Sequence, residues 1–388
     1  MSPVETLTSG ERATVTATPA VTPVDAGATT VVGHLWQIDI VRNLTFACVI
    51  AVHATATVNA AASVSAGATL ILLHFTREVF FLITGFVLIQ AHSRRKLNVT
   101  TFYRRRLLLV GVPYVVWSTV YYFANNHQSW AEGTWAKPLG LALLTGTACY
   151  HLYFLLVSLQ VYLILPALLA LLRRTEGRHG LLLGVAVAVQ LLEAAFLQYG
   201  GPFSGVWETW RRHADVLLPT YVGYLVAGAL AAWHLARWQR WVDTHTRMVI
   251  ATLLGSAALT LAVYAFQQRA PGGPLYAQAV LQPVMLPWSL AVGLALYSLG
   301  SWWASRRTRS RLQGVVTVGS HVSFGVYLLH PLVMQELVTL EPRLPALLAT
   351  VLLMLLTVVI TTVLVIVVQR TPASLPLTGR QRTRHQVA

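Results

Sequence analysis

The sequence predicts an all-α, polytopic integral membrane protein with about ten transmembrane helices. Hydrophobic residues make up 55% of the chain and charged residues only 11%. The mean hydropathy is +0.60, which is far more apolar than a soluble globular domain requires. A bilayer span needs roughly 20 mostly apolar residues, and such stretches recur from Trp36 to Val368.

The predicted spans are separated by polar loops. They cover residues 36–60, 68–91, 104–124, 150–172, 180–198, 214–235, 247–266, 276–300, 314–337 and 346–368. Residues 139–147 are also apolar, but the stretch is too short to cross a bilayer. We therefore interpret it as a re-entrant or interfacial segment before the fourth span.

Basic residues are strongly biased toward alternate loops. Under this assignment 20 Lys and Arg residues lie on one side and 5 on the other, and the richer side includes Arg94, Arg95, Lys96, Arg104, Arg105, Arg106, Arg173, Arg174, Arg178, Arg237, Arg240, Arg247 and the C-terminal arginines. Basic residues next to spans are retained in the cytoplasm, so both termini of this cell-membrane protein are predicted to be cytoplasmic. The net charge of +15 then reflects topology and contact with anionic membrane lipid, and we expect no nucleic-acid partner.

Both ends of the chain differ in composition from the membrane domain, predicted at 34–370. Residues 1–33 lack a basic start followed by an apolar core, so they are predicted to be a disordered cytoplasmic tail rather than a signal peptide. Residues 371–388 are interpreted as a second disordered tail. The two cysteines, Cys48 and Cys149, have no metal-ligand spacing, and no metal site is predicted.

The first span carries three ionisable residues, Asp39, Arg42 and His53. Arg42 and His53 are eleven residues apart, which in a helix places them about 16 Å apart along the axis and within about 20° of each other around it. Asp39 precedes Arg42 by one helical turn and can pair with it. Ionisable groups in a bilayer are costly and usually functional.

The second span carries His74, Arg77 and Glu78. Their spacing places His74 beside both charged residues and predicts an ion pair inside the membrane. Such a pair either contributes to a substrate site or only stabilises helix packing.

Five segments resemble motifs of the acyltransferase 3 family of membrane O-acyltransferases, in the family's order. They are IDIVRNLTFACVIAVH at 38–53, VFFLITGFVL at 79–88, FYRRRLLLVGVPYVVWS at 102–118, HLYFLLVSLQVYLILP at 151–166 and SFGVYLLHP at 323–331. The first contains an Arg and a His separated by ten residues. One departure is that many members have two arginines spaced by two residues at the third helix, whereas Arg104 and Arg106 are each followed three positions later by leucine.

The resemblance implies transfer of an acyl group, from acyl-CoA and most often acetyl-CoA, to a hydroxyl of a carbohydrate or lipid-linked acceptor. Acyl-CoA is then a donor substrate, and no bound cofactor is expected. A hydroxyl needs a base with a pKa near 7 to become a good nucleophile, which makes His53 the candidate catalytic residue, as general base or as transient acyl carrier. Arg42 is expected to bind the donor phosphates or stabilise the oxyanion, and Asp39 to hold Arg42.

Other residues are assigned to the two substrates. Arg104, Arg105 and Arg106 lie at the predicted cytoplasmic mouth, where they either contact the CoA phosphates or act only as topological anchors. His330, beside the helix-kinking Pro331, lines a cavity or packs in the core, and His151 begins the fourth span. We expect the acceptor site to include His74, Arg77, Glu78, His151 and His330.

Two other classes of function remain open at this stage. A transporter or exporter also uses intramembrane Arg, Glu and His, and inverted-repeat carriers have corresponding broken helices in two halves. A membrane sensor or scaffold would not need His53. The sequence does not indicate an oligomeric state.

Overall fold

A computed structural model describes residues 35–306, 311–339 and 344–382. These residues form helices and connecting loops without a strand, which confirms the predicted all-α class. The predicted N-terminal tail, 1–33, lies outside the described residues.

The described residues of the first half of the chain form nine helices. Their bounds are α1 Trp36–Val58, α2 Val64–Leu73, α3 Phe75–His92, α4 Val99–Arg106, α5 Val112–Asn125, α6 His127–Ala131, α7 Ala136–Thr145, α8 Tyr153–Arg174 and α9 His179–Tyr199. A π-helical turn, Leu107–Gly111, joins α4 to α5.

The part of the second half that the structure describes forms another nine helices. Their bounds are α10 Gly205–His213, α11 Val222–Trp233, α12 Leu235–Thr244, α13 Thr246–Gln267, α14 Gly273–Ala277, α15 Met285–Arg306, α16 Arg311–Thr339, α17 Ala346–Val368 and α18 Ser374–Thr378. Two short 3₁₀ turns, Ala214–Val216 and Leu218–Tyr221, lie between α10 and α11.

In the described residues, eight helical stretches are long and apolar enough to cross a membrane, or nine if the pair Gly205–Val216 and Leu218–Trp233, bent by 52°, is one span. The fold class is therefore confirmed, but the predicted count of ten is only approximate. One of the two missing spans is 214–235, which falls on the bent pair, and the other is 276–300. Its helix, α15, begins nine residues later at Met285, and its several Ser, Gly and Trp residues lower its hydropathy.

Two predicted segments outside the spans form short helices. Residues 139–147 fall largely in α7, whose ten residues are too few to cross a bilayer. Of the predicted disordered tail at 371–388, the structure describes residues 371–382, which include α18, a short helix anchored inside the helix bundle. Trp117 donates from Nε1 to the carbonyl of Leu377 over 3.0 Å, and Ser374 and Thr378 are buried.

Helices α3 and α11 cross so closely that glycines form the contact. Gly228 lies against the backbone of Leu82, and Gly85 lies against the backbone of Leu225. A β-carbon at Gly228 would overlap the Leu82 carbonyl oxygen. Small residues permit this close backbone approach between membrane helices. The contact fixes α3, which carries Arg77 and Glu78 in its first turn and is preceded by His74.

The substitution Gly228→Ala is expected to destabilise the protein by about 1–3 kcal/mol, the usual cost of overpacking. Thermal unfolding in detergent measures the change. Gly255→Ala is the matched control in another helix, because a β-carbon there meets nothing within 4 Å. Equal melting temperatures for the two variants would contradict the role given to the α3–α11 contact.

Candidate active site

Three histidines from distant parts of the chain form one cluster. The ring of His53 in α1 stacks on that of His330 in α16, with centroids 5.3 Å apart and an angle of 27° between the planes. The ring of His151, just before α8, meets His330 edge to face at 5.3 Å. Tyr150 covers the other side of His53, with a centroid separation of 4.5 Å.

Pro331 determines the hydrogen bonding of His330. Proline has no N–H, so the carbonyl of Tyr327, four residues earlier, loses its helical donor. His330 Nδ1–H donates to this carbonyl over 2.7 Å. The other ring nitrogen of the neutral imidazole, Nε2, is therefore an acceptor, and it is buried without a hydrogen-bond partner in the described part of the chain.

The chain around His151 is held by tyrosines. Tyr327 donates its hydroxyl hydrogen to the carbonyl oxygen of His151. Tyr121 donates to the carbonyl of Leu328 over 2.8 Å and accepts from the N–H of Leu332 at 3.3 Å, which bridges the helical turn that Pro331 opens. These contacts fix the loop before α8 against α16.

The histidine cavity, defined as the space around His53, has a volume of about 250 Å³. His74, Arg77, His151 and Tyr153 also line it, together with Asp215 from the bent segment before α11. Its lining combines imidazoles, one guanidinium and aromatic rings, so it can accept a small polar group beside a potential base.

Arg77 is the cation of the histidine cavity, and it is held from several sides. Its Nε and Nη2 donate to Oε1 of Glu78 over 3.0 and 2.7 Å, and its Nη1 donates to Tyr153 over 3.3 Å. It also lies over the ring of Tyr221, 5.3 Å from the centroid. Only 10% of the Arg77 side chain and 2% of the Glu78 side chain are exposed. Glu78 faces a different, much smaller cavity beside Glu193.

The arginine cavity, defined as the space lined by Arg42, Arg104, Arg105, Arg106 and Arg380, has a volume of about 920 Å³. This is within the range of pockets that bury small organic ligands. Arg104 and Arg105 are exposed, while Arg42, Arg106 and Arg380 are half-buried. Five guanidinium groups around one cavity favour a ligand with several negative charges.

Arg42 is oriented by a polar network between α1 and α16. Its Nη1 donates to the Ser320 hydroxyl over 3.2 Å, and that hydroxyl donates to Asp39 over 2.6 Å. The direct Arg42–Asp39 separation is 3.8 Å. The predicted pairing of Asp39 with Arg42 is present, with Ser320 as an additional link.

Arg380 comes from the C-terminal segment and donates to the Ser320 carbonyl over 3.1 Å. Burial, and then the nearby Arg42, lower the pKa of the Arg380 guanidinium, while Asp39 acts in the opposite direction. Arginine nevertheless stays protonated in proteins. Two neighbouring cations, with one carboxylate beside them, make this part of the arginine cavity a favourable position for an anion.

Aromatic rings separate the two cavities. Phe80 and Phe154 line both of them, with ring centroids 5.3 Å apart. Phe46 packs on Phe80 at 4.6 Å. Since Arg42 and His53 lie about 16 Å apart along α1, the cavities occupy different depths of the bundle, on either side of this aromatic layer.

The sequence-predicted residues therefore fall into two groups. The first group lines the arginine cavity and consists of Arg42, Arg104, Arg105 and Arg106. The second group lines the histidine cavity or, for His330, stacks on His53, and consists of His53, His74, Arg77, His151 and His330. Asp39 and Glu78 orient an arginine of each group, Arg42 through Ser320 and Arg77 directly. Sequence reasoning missed Arg380, Tyr150, Tyr153, Asp215 and Tyr327. The aromatic residues next to His151 in the sequence could have indicated part of the site, but nothing in the sequence around Arg380 distinguishes it from the other C-terminal arginines.

Within the described ranges, no three or more His, Cys, Asp and Glu side chains are arranged to hold a metal ion. Cys48 and Cys149 are both free thiols. The arrangement available for chemistry is thus a set of imidazoles beside a buried guanidinium. A layer of aromatic rings separates it from a strongly basic cavity.

Comparison with known protein families gives a match over most of the chain. The model of an acyltransferase domain, of the acyltransferase 3 type, matches residues 35–368. This range spans the first helix to the last long one and includes every residue of both cavities except the C-terminal contributors to the arginine cavity. No curated protein and no solved structure matches the chain.

Proposed function

Because the chain belongs to the acyltransferase 3 family of membrane acyltransferases, we propose that it transfers an acyl group, acetyl from acetyl-CoA, to a hydroxyl of a carbohydrate or lipid-linked acceptor. The observation that carries the proposal is the pair of cavities. One is lined by arginines and the other by histidines, and the same two phenylalanines line both.

The arginine cavity binds the CoA donor. CoA carries several phosphate charges, and guanidinium groups bind phosphate through paired hydrogen bonds. Arg42 shares this cavity with Arg104, Arg105 and Arg380 and does not line the histidine cavity. Of the two roles expected for Arg42, this placement favours binding of donor phosphate over stabilisation of the oxyanion. The basic loops on the same side support a cytoplasmic donor.

Phe80 and Phe154 are in contact, with ring centroids 5.3 Å apart, so these rings must move apart for the thioester end of the donor to reach His53. There the neutral imidazole of His53 takes the proton of the acceptor hydroxyl as the oxygen attacks the thioester carbonyl. The carbon–sulfur bond then breaks, and the departing CoA thiolate takes up the proton from the His53 imidazolium, which restores the neutral imidazole. As an acyl carrier, the His53 imidazole would instead attack the thioester carbonyl carbon and displace the CoA thiolate, and the acceptor hydroxyl would then displace the imidazole from the acyl group and give up its proton.

Arg77 is the group best placed to stabilise the oxyanion of this reaction. It is the only Lys or Arg among the lining residues of the histidine cavity, and its contacts with Glu78 and Tyr153 hold it in a fixed orientation. A preorganised cation in a water-poor site stabilises developing negative charge without reorganisation. His330, stacked on His53, presents its Nε2 lone pair as a second proton acceptor.

The position of Tyr150 favours a carbohydrate or lipid-linked molecule as the acceptor. Its side chain is 53% exposed and lies at the rim of the histidine cavity against His53. An exposed aromatic face beside a base is suited to pack against a sugar ring while its hydroxyl approaches the imidazole.

The proposal is tested with purified, detergent-solubilised protein and radiolabelled acetyl-CoA. We expect binding of acetyl-CoA and slow loss of the thioester without acceptor, accelerated by an acceptor with free hydroxyls. The transporter alternative predicts binding or movement of a solute with the thioester intact. Absence of both binding and turnover would exclude acetyl-CoA as the donor.

Arg105→Ala is expected to weaken acetyl-CoA binding by about fivefold, since an exposed charge pair contributes up to about 1 kcal/mol. It should also make binding less sensitive to salt, because one charge contact is removed. Titration at low and high ionic strength measures both effects. Arg95→Ala is the matched control, since Arg95 is exposed in the preceding loop but does not line the arginine cavity. Equal binding by the two variants would remove Arg105 from the donor site.

A further inference from the structure

A third cavity, of about 940 Å³, lies away from both parts of the proposed active site. We call it the lateral groove. Helices α11 and α15 form its floor, and α9 and α13 contribute its sides through residues such as Leu183 and Thr252. Pro287 and Thr252 on its lining are exposed. Since α9 and α13 are among the least buried spans, the groove opens toward the surrounding lipid.

The groove has the length of one lipid leaflet. Along α15 its lining runs from Pro287 through Leu290 and Leu294 to Tyr297. Ten residues of helix rise about 15 Å, which is half of a hydrocarbon core of about 30 Å. The lining in this stretch is almost entirely apolar, as it is on α9 from Leu183 to Val187.

The polar end of the groove is the end that faces the basic loops. His179, at the start of α9, and His234, at the end of α11, line it and hydrogen-bond to each other over 2.8 Å. Arg237 of α12 is exposed there and also lines the groove. The neighbouring loop 173–178 contains three arginines and one glutamate, so the surroundings are also net positive.

Helix α12 is fixed across this end of the groove. Gln239 accepts from the Tyr297 hydroxyl over 2.6 Å and donates to Ser301 over 2.5 Å. Ser301 in turn donates to Asp243 over 2.8 Å. Trp238 and Trp241 lie stacked on the groove side, with centroids 6.0 Å apart. Tryptophan and arginine on a short interfacial helix are typical anchors at the level of lipid headgroups.

We propose that the lateral groove is a binding site for one anionic glycerophospholipid of the cytoplasmic leaflet, with an acyl chain along α15 and the headgroup phosphate at Arg237. The surroundings of a lipid tail are equally apolar in the bilayer and in the groove, so the tail contributes packing but little selectivity. Selectivity comes from the headgroup, because Arg237 and the basic loop attract negative charge.

Native mass spectrometry with phosphatidylglycerol and phosphatidylcholine of equal chain length tests this site. The wild type should retain phosphatidylglycerol in preference to phosphatidylcholine. Arg237→Gln should weaken phosphatidylglycerol binding by about fivefold, the effect of one basic residue near an anionic headgroup. Arg240→Gln is the matched control, since Arg240 is exposed on the same helix but does not line the groove.

Equal retention of the two lipids by the wild type, or equal losses in the two arginine variants, would overturn the proposal. A second variant, Ala231→Trp, fills the groove from its floor and should displace phosphatidylglycerol as well. Undiminished binding by a monodisperse Ala231→Trp protein would also overturn it. The readout is lipid binding, so the result does not depend on acyltransferase activity.

Discussion

Replacement of His53 with alanine is expected to lower the rate of acyl transfer by at least about 100-fold, the contribution usual for a positioned general acid or base. Acetyl-CoA binding should stay near that of the wild type. The physical reason is the separation of the two cavities, since His53 lines the histidine cavity and none of the arginine cavity. The measurements are turnover of radiolabelled acetyl-CoA and its equilibrium binding by the same preparation.

His245→Ala is the control for this experiment. His245 is exposed, its Nδ1 hydrogen-bonds to Thr244 and the Trp241 carbonyl, and its ring stacks on Trp241. It lines neither cavity of the proposed active site, so its loss should leave both binding and turnover unchanged. A purified His53→Ala protein that turned over at the wild-type rate would remove His53 from the chemistry. A sensor or scaffold would behave in that way.

The same variant separates the two roles of His53. Incubation with labelled acetyl-CoA without acceptor, followed by rapid denaturation, traps an acyl-histidine if His53 is the carrier. Label on the wild type that is absent from His53→Ala indicates a covalent intermediate. Turnover without any labelled protein indicates a general base.

The regular spacing of α1 is what made its part of the site predictable. A helix of 3.6 residues per turn places Arg42 and His53 on one face whatever surrounds it, and both residues line internal cavities in the structure. Pro331 was similarly informative, because proline has no N–H and therefore leaves the carbonyl of Tyr327 without its helical hydrogen-bond donor. The structure adds that this carbonyl receives the His330 proton.

Long-range contacts were beyond the reach of the sequence. Arg380 lies in a stretch with the composition of a disordered tail, and it reaches the arginine cavity because Trp117, 260 positions from Leu377, anchors α18. The start of α15 was misplaced for a related reason. Residues 276–284 are apolar enough to extend a predicted span, yet they contain only the end of α14 and an irregular stretch before Met285.

The substitution Glu78→Gln is expected to destabilise the protein by about 3–5 kcal/mol, because it leaves the Arg77 charge buried without a counter-charge. The Arg77–Glu78 contact of 2.7 Å joins two side chains that are almost fully inaccessible, so neither water nor salt can replace the lost carboxylate. Thermal and denaturant unfolding in detergent micelles measures the change.

Glu208→Gln provides the comparison, since Glu208 pairs with Arg211 and Arg212 over 2.8 and 2.7 Å but all three side chains are accessible. Its loss should have little measurable effect on stability. Similar melting temperatures for the Glu78→Gln and Glu208→Gln variants would show that the Arg77–Glu78 pair is not electrostatically isolated from solvent.

A double variant, Arg77→Met with Glu78→Leu, distinguishes a structural ion pair from a functional one. Removing both charges eliminates the unpaired cation, so stability should return to near the wild-type value. Acyl transfer should not return, because the histidine cavity has lost the guanidinium proposed to stabilise the oxyanion. Recovery of stability and activity together would mean that the pair only holds α3 in place, and the oxyanion role of Arg77 would be wrong.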